Sequence, residues 1–122
     1  MNGIAPMTEI ENESPMSLRD TPEFKEQWVK ISQKELDEIL TVHERFAISE
    51  RGGERAKLGM YDMSYLDLAG RNLAGADFTG ALLCHCSLSE TNLVDAILFA
   101  ADLRFTDMRE AVFDRADLRG AC

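Results

Sequence analysis

The sequence lacks several features that would place the protein in a membrane or outside the cell. Its 122 residues contain no apolar run near the length that spans a bilayer. The opening stretch MNGIAPMTEIENESPM has no basic segment followed by an apolar one, so we expect no secretory signal peptide. The three cysteines are an odd number and do not make a disulfide framework. We therefore expect a cytoplasmic protein with no membrane partner.

Positive charge is also scarce in this chain. It carries 13 Lys and Arg residues against 22 Asp and Glu residues, which gives a net charge of -9. Direct nucleic-acid binding is disfavoured, because phosphate contacts need clustered Lys and Arg side chains. The acidic balance permits a basic protein partner, although solubility is the simpler interpretation of it.

The sequence shows no motif typical of an enzyme. There is no glycine-rich phosphate loop, no paired metal motif and no nucleophile elbow. Aspartates such as Asp77, Asp102 and Asp117 are abundant, but they recur at a fixed spacing. That spacing predicts corner or edge residues rather than general acids. We expect no catalytic residue, no bound metal and no cofactor.

What the sequence does contain is a five-residue period that starts at residue 56. The chain reads AKLGM, YDMSY, LDLAG, RNLAG and onward to ADLRG without a slip. The first residue is Ala, Cys or Thr in ten of thirteen repeats, and the second is Asp or Asn in eight. The third residue, which we call the repeat centre, is always Leu, Met or Phe. The centres are Leu58, Met63, Leu68, Leu73, Phe78, Leu83, Leu88, Leu93, Leu98, Leu103, Met108, Phe113 and Leu118.

A period of five fits neither the 3.6-residue period of an α-helix nor the two-residue period of a strand. A chain that turns a corner every five residues does fit it. In such a chain the large repeat centre points inward, and so does the small first residue, where crowding leaves little room. The other three residues of each repeat face solvent.

The pattern A(D/N)LXX in residues 56–122 resembles the pentapeptide-repeat family. The resemblance implies an all-β solenoid, a right-handed quadrilateral β-helix in which four repeats, about twenty residues, make one coil. Residues 56–122 would then form a little over three coils, about 16 Å tall at the usual strand spacing. Residues twenty apart should stack, so we expect Asn72 to lie under Asn92 in an amide ladder.

Metal-ligand residue types come together in the stretch Cys84-His85-Cys86. In this register Cys84 and His85 point outward, whereas Cys86 takes the inward position that is usually Ala. Ligands of a tetrahedral site must converge on one point. We therefore expect one core cysteine, one surface cysteine and one surface histidine, without a metal.

The same register predicts apolar residues on the outer faces. Tyr65, His85 and Phe105 should form an outward column of rings, with Leu82 on the same face. Ile97 and Phe99 should point outward from the adjacent face. Contiguous outward apolar residues are typical of contact surfaces, but stacked rings could also only stiffen the rod or pack against the N-terminal segment.

The N-terminal half lacks the period. Residues 1–20 are polar, acidic and aperiodic, so we expect a disordered tail. Residues 21–55 predict a helical N-terminal cap of one or two α-helices. Thr21 and Pro22 would start the first helix, with Phe24, Trp28 and Ile31 on one face.

The second helix should run from about Gln33 to Ser49. Ser32 and Glu35 make a capping box, and Gly52 with Gly53 would stop the helix. Because a solenoid needs its ends covered, this helix should lie over the first coil. We expect His43 to be a satisfied, half-buried histidine rather than a catalyst. The residues predicted to face the coil are Leu36, Ile39, Leu40, His43 and Phe46.

Function follows less directly from the sequence than fold does. A non-catalytic protein–protein interaction module with flat β faces is the leading hypothesis. Some members of the family resemble duplex DNA and bind DNA gyrase, which suggests a DNA-mimic role as a second hypothesis. The positive charge that Arg104, Arg109, Arg115 and Arg119 place on the last coils disfavours this role. The unfinished coil at Cys122 suggests a structural N-terminal domain of a larger protein. It equally suggests an end covered by another molecule, and a homodimer could form through a β face or this open coil.

Overall fold

Residues twenty positions apart are joined by parallel β-bridges along the whole repeat region. A computed structural model describes residues 27–122, and all of its isolated bridges pair the second residues of repeats in successive coils. The bridges form four rows, which begin with Lys57↔Asp77, Asp62↔Leu82, Asp67↔Ser87 and Asn72↔Asn92. Each coil therefore has four sides of five residues. We number them from the first coil, where residues 56–60, 61–65, 66–70 and 71–75 form sides one to four.

The fifth residue of every repeat lies in the left-handed backbone region. Glycine fills this position at Gly70, Gly75, Gly80 and Gly120, but side chains as large as those of Tyr65, Phe105 and Arg115 occupy it elsewhere, with φ between 59° and 70°. The first N–H of each repeat donates back to the carbonyl of the preceding repeat centre, as Leu66 does to Met63 at 3.0 Å. The repeat centre is the first residue of this four-residue turn and the left-handed fifth residue of the repeat is the third, as in type II turns. The corner is thus a β-turn repeated every five residues.

The interior of the solenoid is a stack of repeat centres. The centres from Leu58 to Leu98 are fully or almost fully buried, and Leu103 is 6% exposed. Small first residues such as Ala76, Ala96 and Cys86 are buried between them.

The last centres do not follow this rule. Met108 is 37% exposed, Leu118 is 42% exposed and Phe113 is partly buried. The expectation of a buried centre in every repeat is therefore wrong for Met108 and Leu118, because no further coil of the described chain lies over them.

A helix precedes the coils. Strand β1, Val29–Lys30, comes before helix α1, Gln33–Ala47, and strand β2, Tyr61–Asp62, lies on side two of the first coil. Ser32 and Glu35 form the reciprocal capping box that the sequence predicted. Leu36 and Leu40 are fully buried and belong to the same hydrophobic cluster as the repeat centres. No helix within residues 27–122 is long and apolar enough to cross a membrane.

The segment before α1 differs from the prediction. Trp28 and Ile31 do not lie on a helix: Val29 and Lys30 instead pair in parallel with Tyr61 and Asp62 of β2. An unpaired strand edge on the first coil outweighs the helical spacing of the local sequence, because the edge amides need partners. The predicted tail 1–20, and Thr21, Pro22 and Phe24, lie outside the described residues.

The end of α1 also differs from the prediction. The helix stops five residues before Gly52, and Ser49 takes the left-handed position with φ 60°. The N–H of Glu50 donates to Arg45 O at 2.7 Å and that of Ser49 to Phe46 O at 3.0 Å, the two bonds of a Schellman motif. Gly53 has another role. A Cβ there would lie 2.2 Å from the Phe46 backbone nitrogen, so only glycine allows the loop to pass this close to the helix.

Candidate interaction surface

No coil precedes the first one, so other parts of the described chain form hydrogen bonds with the backbone groups at its N-terminal edge. On side two, β1 supplies the missing strand: the Val29 N–H donates to Met60 O at 3.2 Å and the Ile31 N–H to Asp62 O at 3.4 Å. On side three, the Gln33 side chain both accepts a hydrogen bond from the strand edge and donates one to it. Its Oε1 accepts from the Asp67 N–H and its Nε2 donates to Asp67 O, each at 2.8 Å. A carboxamide can do this because it carries one acceptor and one donor side by side.

Side four is closed by a carboxylate. The Oε2 of Glu44 accepts from the Asn72 N–H at 3.0 Å and from Arg71 Nε at 3.0 Å, and Arg71 Nη2 donates to its Oε1. The hydrogen bonds from Arg71, with that from Asn72, hold the pKa of Glu44 below its ordinary value although partial burial opposes this. Glu44 therefore remains an ionised acceptor at neutral pH.

His43 connects α1 to sides one and four. Its Nδ1 accepts from the Ala56 N–H at 2.9 Å, and its Nε2 lies 2.9 Å from Ala74 O. The ring is completely buried rather than half-buried as the sequence suggested. Of the other residues predicted to face the coil, Ile39 is partly buried and packs against the core. Phe46 is 41% exposed, and its ring centroid lies 5.5 Å from that of His43.

Three aromatic rings stack in a column on the corner between sides two and three. The ring centroids of Tyr65 and His85 are 4.7 Å apart, those of His85 and Phe105 are 4.8 Å apart, and the planes are within 3° and 13° of parallel. Tyr65 is 75% exposed and Phe105 is 76% exposed. The twenty-residue register predicted this stacking. The left-handed backbone at all three positions aims the side chains away from the core.

The other residues of the predicted face are distributed over two sides. Leu82 lies on side two at the bridge between Asp62 and Asp102, and it is half-buried. Ile97 and Phe99 lie on side one, where Ile97 is half-buried and Phe99 is 44% exposed. The Arg119 guanidinium lies 5.6 Å from the centroid of the Phe99 ring, in a cation–π contact. Phe99 is thus partly shielded, and the ring column is the most exposed part of the predicted face.

The residues of the Cys84-His85-Cys86 stretch point in different directions. Cys86 is buried, its Sγ lies 2.9 Å from Met63 O, and burial raises the pKa of its thiol to about 11. The Cys84 side chain is half-buried, and burial raises the pKa of its thiol as well. The His85 ring stacks in the column. Within residues 27–122, no group of three or more His, Cys, Asp or Glu residues could hold a metal ion.

The arginines of the last coils are paired with carboxylates. Arg104, Arg109 and Arg119 each bind the aspartate two positions earlier in the same repeat, with Nη2–Oδ2 distances of 2.7 to 2.8 Å. Arg115 binds Asp95 in the coil before. The sequence predicted positive charge on the last coils but not this pairing with aspartates. The spacing D-x-R, which places both side chains on the outside of one corner, was the available signal for three of the four pairs.

The C-terminal edge lacks the contacts that the N-terminal edge has. The N–H groups of Leu88, Leu93 and Leu98 donate to carbonyls one coil further on, at 2.7 to 2.8 Å. Their counterparts at Met108, Phe113 and Leu118 have no such partner within residues 27–122. Backbone donors and apolar repeat centres are therefore exposed together at this end.

Comparisons with known proteins point to one family. A family model of pentapeptide repeats matches residues 62–98 and 96–122. A solved pentapeptide repeat protein from Nostoc PCC 7120 is 30% identical over 76% of this chain and 75% of its own length, with a TM-score of 0.40.

Two further solved structures share less of the chain. HetL of Nostoc, a pentapeptide repeat protein involved in heterocyst differentiation regulation, is 24% identical over 50% of this chain and 40% of its own length, with a TM-score of 0.28. A pentapeptide repeat protein of the Arabidopsis thaliana thylakoid lumen is 21% identical over 54% of this chain and 63% of its own length, with a TM-score of 0.32. No curated protein sequence matches the chain.

Proposed function

Because the chain belongs to the pentapeptide-repeat family, we propose that it is a non-catalytic protein-interaction module on a right-handed quadrilateral β-helix. In this proposal α1 and β1 are the N-terminal cap of the solenoid. Its support is the set of contacts from Gln33, His43 and Glu44 to edge groups of the first coil. A covered N-terminal end leaves the outer sides of the coils for binding.

The ring column of Tyr65, His85 and Phe105 is the observation that carries the proposal. Two largely exposed aromatic side chains in one rigid stack offer a flat apolar surface that needs little ordering on binding. Aromatic residues are enriched at the cores of protein interfaces. The partner in this proposal is a protein that covers the rings. A second copy of the chain is the first candidate, because C2 symmetry closes such a contact.

Sedimentation velocity on wild type and Phe105→Glu tests this assignment. We expect wild type to self-associate through the column and Phe105→Glu to shift toward monomer, because the new carboxylate would be buried without a partner in the contact. Ser89→Glu is the matched control: it adds the same charge on side three, away from the rings, and should associate like wild type. Association that is unchanged in Phe105→Glu but lost in Leu118→Ala would move the interface to the C-terminal edge.

A strict monomer in every sample would leave a different protein as the partner. Cross-linking from a photoreactive residue at position 105, followed by mass spectrometry, would then identify what lies on the column. Cross-links of equal yield from position 89 would contradict the assignment of the surface.

A DNA-mimic role toward DNA gyrase is the second candidate. One observation favours it, the net charge of -9; the four arginines of the last coils are each paired with a carboxylate, so their positive charge is balanced locally. A gyrase supercoiling assay tests it directly. Inhibition or protection at stoichiometric concentrations would support the mimic role, and unchanged supercoiling at a large excess of this protein would reject it.

A further inference from the structure

One imidazole ties α1 to two sides of the first coil. His43 belongs to the helix, whereas its two partners, the Ala56 N–H and Ala74 O, belong to the coil. Because a backbone N–H can only donate, Nδ1 must be unprotonated, and Nε2 must then carry the hydrogen that it gives to Ala74 O. The structure therefore requires the neutral ring in one tautomer.

A second proton on this ring would create a conflict. In the imidazolium both nitrogens are donors, so an Nδ1–H would point at the Ala56 N–H across 2.9 Å. The ring has no exposed surface, and water cannot solvate the new charge while the helix stays in place. The conflict is relieved only if the His43 ring leaves its site.

The surroundings of the ring shift the pKa of His43 in opposite directions. Burial is the largest influence and lowers the pKa of His43, and Arg55, whose Nε donates to Gly75 O at 2.7 Å, lowers it further. The hydrogen bond to Ala74 and the neighbouring carboxylate of Glu44 raise it. Glu44 is itself held by the guanidinium of Arg71 on the coil, which limits its effect on the ring.

From this geometry we propose that His43 is an acid-sensitive latch whose protonation releases α1 from the first coil. Release would bare the N-terminal edge, where the amides of Asp67 and Asn72 are held by the Gln33 and Glu44 side chains of α1. The distal coils keep their own hydrogen bonds and stay folded. The protein would thus expose its N-terminal strand edge in mildly acidic conditions only.

Proton linkage gives the direction in which pH changes the stability of the docked helix. The released or unfolded chain has a histidine with an ordinary pKa near 6.5, and the docked helix has one whose pKa is lower. The released state therefore binds more protons, so docking is fully stable above about pH 6.5 and weakens as the pH falls toward the docked value. In that window the docked fraction relative to the released one falls by up to about tenfold per pH unit.

Amide hydrogen exchange with matched control amides tests the latch. After correction for the intrinsic rate at each pH, the protection of Asp67 and Asn72 should fall by up to about tenfold per unit as the pH is lowered below about 6.5. Ser87 and Asn92 are the controls, because they occupy the same positions one coil on and donate to Leu66 O and Arg71 O instead of to α1. Equal pH dependence at all four amides would overturn the proposal.

The chain contains only two histidines and one tryptophan, which permits a second test. In His85→Gln the remaining imidazole resonance belongs to His43, and Trp28, whose Nε1 donates to Gly80 O at 2.8 Å, reports on the segment joined to α1. We expect the fluorescence of Trp28 to change with the same midpoint as the His43 resonance, below the ordinary value. A His43 that titrates while the Trp28 signal and the Asn72 protection stay constant would reject the latch. This test needs no variant at His43, so it does not depend on whether such a variant folds.

Discussion

The first and last coils of the described solenoid are built from the same repeat but have opposite surroundings. At the N-terminal edge, β1, Gln33, Glu44 and His43 satisfy backbone groups on all four sides, and the first repeat centre, Leu58, is fully buried. At the C-terminal edge, the N–H groups of three centres have no partner within the described chain, and two of those centres are more than one-third exposed.

The difference shows that burial of a repeat centre is not a property of its own repeat. Leu58 and Leu118 occupy the same position on the same side, sixty residues apart, in repeats that share an Ala first residue and a Leu centre. Leu58 is buried because α1 and the second coil lie on either side of it, whereas Leu118 has a coil on one side only. Each coil is thus stabilised by its neighbours, as in other solenoids.

The largest effect is expected from a charge placed inside the middle of this stack. Leu83→Asp should abolish the folded state, because an unpaired carboxylate in a dry core costs several kcal/mol, comparable with the whole stability of a small domain. Circular dichroism with urea denaturation measures it. Leu118→Asp, the control, should remain folded because its side chain reaches solvent. A folded, cooperative Leu83→Asp protein would contradict the register.

A smaller and more direct contrast comes from removing side-chain volume at the two ends. Leu58→Ala should lower the free energy of unfolding by about 2–5 kcal/mol, the usual cost of a buried leucine cavity. Leu118→Ala, on the same ladder, should cost less than about 1 kcal/mol, because its side chain is already partly hydrated. Urea denaturation of both variants measures the difference. Equal losses of unfolding free energy would mean that Leu118 is covered in solution, for example by a second copy of the chain. If the losses stay equal in dilute samples, a second copy is excluded.

The sequence predicts those features of the molecule that follow from the five-residue period, and it predicts the others less well. The unbroken period predicted the buried Leu83, the exposed Asp95, the ring column and the amide ladder, in which Asn92 Nδ2 donates to Asn72 Oδ1 at 3.2 Å. These predictions are confirmed because a register, once fixed, assigns each later residue to a side and a direction.

The end structures are not periodic, and there the sequence was a poorer guide. The local pattern around Trp28 favours a helix, but pairing with β2 depends on an edge that lies 32 residues later in the chain. The left-handed fifth residue was also missed, although glycine in four repeats was an available signal. In most repeats that position carries a side chain, because the turn and the stacked coils outweigh the cost of a left-handed backbone there.

The polar contacts at the N-terminal edge should be worth less than the core but remain measurable. Glu44→Ala leaves the Asn72 N–H and the Arg71 guanidinium without their acceptor, so we expect a loss of about 1–3 kcal/mol in the free energy of unfolding. Glu38→Ala, on the exposed face of the same helix, is the matched control and should change little. Thermal and urea denaturation at neutral pH measure both. A loss as large in Glu38→Ala would show that helix propensity or net charge, and not edge capping, is responsible.

The smallest effect is expected from the exposed ion pair between coils. Arg115 Nε lies 2.8 Å from Asp95 Oδ1 and Nη2 lies 3.2 Å from Oδ2, and these hydrogen bonds hold the pKa of Asp95 below its ordinary value. Both groups are solvated, so the attraction is screened by water and salt and is offset by the ordering of two side chains.

Arg115→Gln should therefore leave the urea midpoint at pH 7 unchanged within error. Arg104→Gln is the contrasting variant, because its partner Asp102 is almost completely buried. Burial alone would raise the pKa of Asp102, yet the hydrogen bonds from Arg104 hold that pKa below its ordinary value. Loss of this guanidinium leaves a buried carboxylate less well satisfied, so the midpoint should fall measurably at pH 7. Midpoints that fall equally in the two variants would show that burial of the carboxylate does not decide the strength of these pairs.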